Sequence, residues 1–323
     1  MSSPGSRRSP AAQAPAPSEH PPNAVAHPSA SGTHRARALV KALRPHQWTK
    51  NLLVFVPALL AHSTQPEVWT RALWAFAAFC LCASSVYLIN DLVDLDADRA
   101  HPSKRERPFA SGTLPPRLGL WLAPVLLAAA FAVALPLPRA FAAVLGMYYL
   151  ATLSYSLLLK RLVLVDVLLL AGLYTVRLIA GGAAYQVPLS QWLLAFALFL
   201  FLSLAFVKRY SEVQQIRREG ASEAKGRGYR AGDLEQLSAF GSAAGYLSVL
   251  VLALYVHSED VRRLYEHPAR LWMMLPLLLF WISRVWLLAH RGELHEDPIV
   301  FALRDWPSYL VALGAAATIL LAR

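Results

Sequence analysis

Carboxylates are scarce in this chain: 20 of 323 residues are Asp or Glu, and charged residues of both signs make up only 16% of the sequence. A soluble globular domain carries roughly a quarter charged residues, so the deficit argues against one. Cysteine is almost missing too. The two that occur, Cys80 and Cys82, lie inside an apolar run, which argues against a disulfide framework and a zinc site and leaves them as small packing or lipid-facing residues. There is no polar block long enough for a second domain. Nor is there a Ser/His or Cys/His constellation of the kind that nucleophilic catalysis needs.

Apolar sequence is what the chain has in quantity. Hydrophobic residues make up 56%, in runs of about twenty, the length that crosses a bilayer core. The expected fold is an all-α, multi-pass integral membrane protein with about nine transmembrane helices. Residues 1–34 are rich in Pro, Ala and Ser and are expected to form a disordered tail. The membrane domain is assigned to 35–323. Spans are predicted near 48–61, 68–90, 118–135, 140–159, 162–185, 192–207, 237–256, 271–289 and 309–321. The first is short, contains Pro57 and follows a basic amphipathic lead through Arg37, Lys41 and Arg44.

The net charge of +11 sits in short links between spans. That placement points to topology and phosphate ligands and argues against nucleic acid as a partner. Links after the second, fourth, sixth and eighth spans are rich in Lys and Arg, and the alternate links hold fewer. The positive-inside rule therefore puts the rich links and the N-terminus in the cytoplasm, with no signal-peptide core to be removed. The expected location is the plasma membrane.

Against the general scarcity of acids, four Asp fall within the nine residues Asn90–Asp98, where the second apolar run ends. At about 100° per residue, Asn90, Asp91, Asp94 and Asp98 share one helix face, and Asp96 points away. Like charges on one face call for a cation. A hard divalent ion with oxygen ligands, Mg²⁺ above all, meets that need and commonly carries a substrate phosphate. Asn90, Asp94 and Asp98 are the candidate metal ligands, with Asp91 beside them, and His101, Lys104, Arg105 and Arg107 follow directly.

A second cluster follows the sixth span. Lys208, Arg209, Glu212 and Gln215 share a face if the helix continues. Lys208 and Arg209 can grip phosphate oxygens, and Glu212 can orient one of those bases or bind a sugar hydroxyl. Arg177 lies within an apolar span, where a charge usually faces a cavity or a partner; a structural pair with a carboxylate and a phosphate contact both remain open. Tyr155, shortly before Lys160, is the expected wall of the polar cavity. His290, Glu293, His295, Glu296 and Asp297 lack the spacing of a tight ligand set and read as a structural loop.

The pattern Asn90-Asp91-x-x-Asp94-x-x-x-Asp98 after a second span resembles the first signature of the UbiA-type intramembrane prenyltransferase superfamily. That resemblance implies nine helices around a central cavity and Mg²⁺–diphosphate at a cytoplasmic polar cap. The family's prenyl-transferring members carry a second acidic motif after the sixth span; here Lys208-Arg209-Tyr210-Ser211-Glu212 stands in its place. The departure is similar to one branch, the decaprenyl-phosphate phosphoribosyltransferases. So are three further segments: 43–51, His101-Pro102-x-Lys104-x-x-Arg107-Pro108, and 291–305. The branch implies transfer of 5-phosphoribosyl from phosphoribosyl diphosphate to a membrane polyprenyl phosphate, for cell-envelope glycan precursors. It also implies a homo-oligomer, a trimer. In that reading Lys104, Arg107, Lys208 and Arg209 bind the sugar donor's phosphates, and Lys50, Lys160 or Arg177 receive the lipid phosphate. The alternative is a prenyltransferase acting on an aromatic or other acceptor.

Overall fold

The computed structural model describes residues 32–100, 104–218, 220, 228–294 and 297–323. The expected tail falls outside them, apart from its last residues, which open a helix. That helix, α1, spans Gly32–Leu43 and lays Ala38 and Ala42 against its neighbours. Arg44 then adopts a left-handed backbone (φ 53°), unusual for a side chain of its size, and turns the chain into a 3₁₀ segment, Pro45–Phe55. A short helix α2, Val56–Leu60, follows.

The remaining helices are α3 Pro66–Val93, α4 Leu95–Ala100, α5 Pro116–Ala134, α6 Arg139–Leu157, α7 Val165–Tyr185, α8 Gln191–Arg218, α9 Leu234–Val256, α10 Glu259–Leu264, α11 Met274–Arg291, α12 Pro298–Ala302 and α13 Trp306–Ala322. Among the described residues, seven helices are long and apolar enough to cross a membrane, and α13 is a shorter apolar helix. The segment expected as a first span is the difference. It is 3₁₀ helix and a single α-helical turn, because it fills a crevice between α3 and α7 instead of facing lipid.

Irregular backbone at membrane depth is tolerated where protein covers and satisfies it. Tyr185 of α7 does this here: its hydroxyl donates to the Val54 carbonyl at 2.9 Å and accepts the Ala58 N–H at 2.9 Å. The close approach also depends on Gly181, where an added Cβ would lie 2.2 Å from the Val54 carbonyl oxygen. Gly181→Ala is therefore expected to push the 3₁₀ segment outward and destabilise the protein by about 1–3 kcal/mol, the usual range for overpacking. Thermal unfolding in detergent reads this out; an unchanged midpoint would contradict the contact.

Two apolar clusters build the body. One joins α7, α8, α9 and α11 around Phe201, Phe206, Leu237 and Trp286; the other joins α3, α5, α6 and α7 around Phe79, Phe141 and Leu145. Cys80 and Cys82 are buried in this packing, not lipid-facing. Small hydroxyls bind helices to one another, as expected where apolar contact with lipid competes. Trp286 donates its indole N–H to Ser203 (3.0 Å), which donates to the Gly241 carbonyl (2.7 Å).

At about 1.5 Å per residue, the 28-residue α3 and α8 run about 42 Å, longer than a bilayer core, so each carries a polar C-terminal extension. Both extensions meet at one end of the bundle, with the α6–α7 link and the start of α12.

Candidate active site

Four groups of charged side chains form at that end. In the first, Asp91 is buried, and its Oδ1 accepts from Arg44 and from Arg107 (3.3 Å). Arg107 also donates to Asp98 at 2.6 Å, so one guanidinium ties two buried carboxylates together. The left-handed turn at Arg44 is what carries its side chain to Asp91, and this ion pair offsets the local backbone cost.

In the second group, Asp94 closes the C-terminus of α3, and Lys160 sits 3.1–3.2 Å from both its carboxylate oxygens. Asp96 is almost fully exposed and turned outward, as the helical face requires. Asn90 is half-buried. Tyr155 is half-buried on α6, a little over a turn before Lys160. Lys104 is exposed in the turn leading to Arg107, and His101 lies outside the described residues.

The third group brings together residues from both ends of the chain. Lys50, from the 3₁₀ segment, donates to Asp297 Oδ2 at 2.8 Å; Lys208, from α8, donates to the same oxygen at 3.2 Å. The Tyr174 hydroxyl lies 3.4 Å from both oxygens. Burial lowers Lys50, and the charge of Lys208 adds to this; Asp297 opposes both, leaving Lys50 at about 8. Burial alone would raise the Asp297 carboxyl, but Lys208 and Lys50 outweigh it and hold the group well below the usual carboxylate range.

Lys50, Lys208 and Asp297 border a cavity of about 570 Å³, lined also by Gln47, Ser211, Glu212, Gln214 and Arg218. Amides, a hydroxyl, two carboxylates and three cations in one cavity suit a sugar phosphate, whose hydroxyls and anionic oxygens need both donors and acceptors.

Arg177 makes the fourth group. Its guanidinium donates to Asn51 (3.0 Å), to the Leu173 carbonyl (2.6 Å) and to the Tyr148 hydroxyl (2.9 Å), and it faces the rings of Tyr148 and Tyr174. Among the described residues none of these partners is a carboxylate. A charged group at this depth usually faces a cavity or a partner, and Arg177 meets its partners through neutral oxygens.

Arg209 corrects the sequence-based expectation. It has no exposed surface, pairs with Asp166 at 2.5 Å and with Glu212, and stacks over Tyr229. A buried side chain committed to two carboxylates cannot reach a substrate without breaking both pairs. Its task is to bind α8 to the start of α7 and to the Tyr229 hydroxyl, which donates to Asp166 at 2.6 Å. Lys208 and Glu212 remain at the cavity, Glu212 while pairing with Arg209.

Asp297 was missed. Read alone, its neighbourhood lacks ligand spacing, and Asp-Pro is an ordinary helix start: Asp297 does cap α12, accepting the Ile299 N–H at 3.2 Å. The one available signal was its place in the 291–305 segment. Arg44, Gln47 and Asn51 likewise stood within the 43–51 segment without an assigned role.

A metal can be tested against this geometry. The donors at the end of α3 are hard oxygens, and Asp91 Oδ2 is buried with no hydrogen-bond partner among the described residues. That chemistry fits a hard divalent cation. Among the described residues, however, no three acidic, His or Cys side chains already form a cage; Arg44 and Arg107 engage Asp91 and Asp98, and Lys160 engages Asp94.

Comparison with known proteins agrees with this architecture. The family model for the UbiA prenyltransferase family matches residues 51–322. A protein of Sinorhizobium fredii, y4nM, uncharacterized, is 38% identical over 89% of the chain, which spans 56% of that relative's length. Nodulation protein NoeC of Azorhizobium caulinodans is 37% identical over 85% of this chain and 90% of its own. Decaprenyl-phosphate phosphoribosyltransferase of Mycobacterium tuberculosis is 34% identical over 87% and 92%. Among solved structures, a UbiA homolog from Archaeoglobus fulgidus bound to GPP and Mg²⁺ shares the fold, with a TM-score of 0.66 at 16% identity, over 87% of this chain and 99% of that one.

Proposed function

The chain belongs to the UbiA prenyltransferase family, and from that footing we propose that it transfers 5-phosphoribosyl from phosphoribosyl diphosphate to a membrane polyprenyl phosphate, releasing diphosphate. One observation carries this reading. Where α8 leaves the bundle, Lys208 joins Lys50 at a cavity lined by amides and Glu212, beside the acidic end of α3. That is a place for a phosphorylated sugar, while the apolar helices offer a lateral path for a polyprenyl tail. The phosphoribosyltransferases among the relatives support the same reaction.

An oxygen of the acceptor phosphate attacks the anomeric carbon as the bond from that carbon to the diphosphate oxygen breaks, and diphosphate leaves with the electron pair. The acceptor is already ionised near neutral pH, so no strong general base is needed. Asn90, Asp94 and Asp98, with Asp91 alongside, would hold Mg²⁺, whose charge would neutralise that of the leaving diphosphate. Arg107, Lys104 and Lys160, with His101, steady the diphosphate. Lys208 and Lys50 hold phosphate oxygens, Glu212 and Gln47 face the ribose hydroxyls, Tyr155 walls the cavity, and Arg177 draws an anion inward. The site faces the cytoplasm of the plasma membrane, and the product is a lipid-linked phosphopentose for cell-envelope glycans. A trimer is the proposed assembly.

Membranes containing the protein, supplied with polyprenyl phosphate and labelled phosphoribosyl diphosphate, should yield label in an organic-extractable lipid only when Mg²⁺ is present. Absence of labelled lipid, with transfer from a prenyl diphosphate to an aromatic acceptor instead, would overturn the reading.

A further inference from the structure

Asp297 makes contacts that its role in the fold does not require. Capping α12 uses Oδ1, which accepts the Ile299 N–H, and an uncharged Asn or Ser caps nearly as well. The charge instead serves Oδ2, which takes Lys50 at 2.8 Å and Lys208 at 3.2 Å. One anionic oxygen between two ammonium groups, with the Tyr174 hydroxyl 3.4 Å away, is the environment that a phosphate oxygen seeks. Side chains of Lys50 and Asp297 are about nine-tenths buried, yet both border the cavity, so the pair stands where a ligand can arrive.

We propose that Asp297 is a resident stand-in for a substrate phosphate: it keeps Lys50 and Lys208 poised and is displaced when phosphate oxygens enter. The inference rests on the reading that this cavity takes a phosphorylated substrate. An arriving anion must exceed what the carboxylate already supplies. A dianionic phosphate can, since it brings two negative charges to the two lysines where the carboxylate brings one, whereas a monoanion such as chloride or a carboxylate gains little from the exchange. The stand-in thus lowers affinity overall and raises discrimination in favour of phosphate dianions, a use of competition for specificity.

The groups facing this point are Lys50 from the 3₁₀ segment, Lys208 from α8, Arg177 and Tyr174 from α7, Tyr87 from α3 and Asp297 itself. Without the carboxylate, the two lysines and Arg177 repel one another unopposed. A variant lacking the charge should therefore bind phosphate more tightly.

The test uses the full-length protein in detergent and titrates inorganic phosphate calorimetrically against wild type, Asp297→Asn and Asp297→Ser, both of which keep a cap on α12. The expected result is affinity about tenfold tighter in both variants at neutral pH, where dianionic phosphate is abundant. Unchanged or weaker phosphate binding in both overturns the stand-in. Steady-state assays then identify the source of the phosphate: a lower KM for phosphoribosyl diphosphate assigns the lysines to the sugar donor, and a lower KM for polyprenyl phosphate assigns them to the lipid. The two readings fail separately, since a wild type that transfers no phosphoribosyl sinks the reaction while tighter phosphate binding in the variants still upholds the stand-in.

Discussion

Asp94→Asn is expected to lower Mg²⁺-dependent transfer by about 10²–10³-fold, the cost of losing one preorganised charge at a reacting group, while the protein stays folded. Its position makes the separation possible. The side chain is 37% exposed and pairs with Lys160, itself about one-fifth exposed. Accessible pairs of this kind contribute about 0–1 kcal/mol. Asp91 and Asp98, by contrast, are buried against Arg44 and Arg107, so removing either charge disturbs the fold along with the chemistry. Asp96 supplies the internal control: it is exposed and points away, and Asp96→Asn should leave turnover unchanged. The measurement is initial rate against Mg²⁺ concentration, with thermal stability in parallel. Near-normal turnover in Asp94→Asn would remove Asp94 from the metal site.

Arg209→Met is expected to do the reverse and cost about 3–5 kcal/mol of stability, because it strands Asp166 as a buried carboxylate. The companion Asp166→Asn in the same chain should recover much of the loss, since neither charge is then left alone and Glu212 is partly exposed and can reach water. Unfolding midpoints of the two singles and the double give the coupling directly. A stable Arg209→Met with a raised KM for phosphoribosyl diphosphate would restore Arg209 to the substrate.

These two residues also mark what the sequence could reveal. Asp94 was legible because a carboxylate cluster at the end of an apolar run has few structural explanations, and helical periodicity separates Asp96 from the others. Arg209 was not, because helix geometry groups it loosely with Lys208 while its burial is decided by Asp166 and Tyr229, which come from other elements. Asp297 failed for the same reason in the opposite direction: locally a helix cap, it gains its second role from partners that no spacing rule connects to it. The all-helical membrane fold followed from apolar run lengths. The run around Pro57 misled, since composition cannot distinguish a helix facing lipid from a 3₁₀ segment wedged between helices and tied down by Tyr185.

The contact between Lys50 and Asp297 spans 247 positions of the chain. Synthesis delivers Lys50 near the beginning and Asp297 only after α11 has been made, so Lys50 waits through most of elongation without the carboxylate that holds it, and Lys208 through 89 positions. Local helices can form and insert in turn, but this pocket closes late, as contacts of high sequence separation do. A chain that ends before Asp297 would therefore carry the acidic end of α3 complete and leave Lys50 and Lys208 without their shared carboxylate.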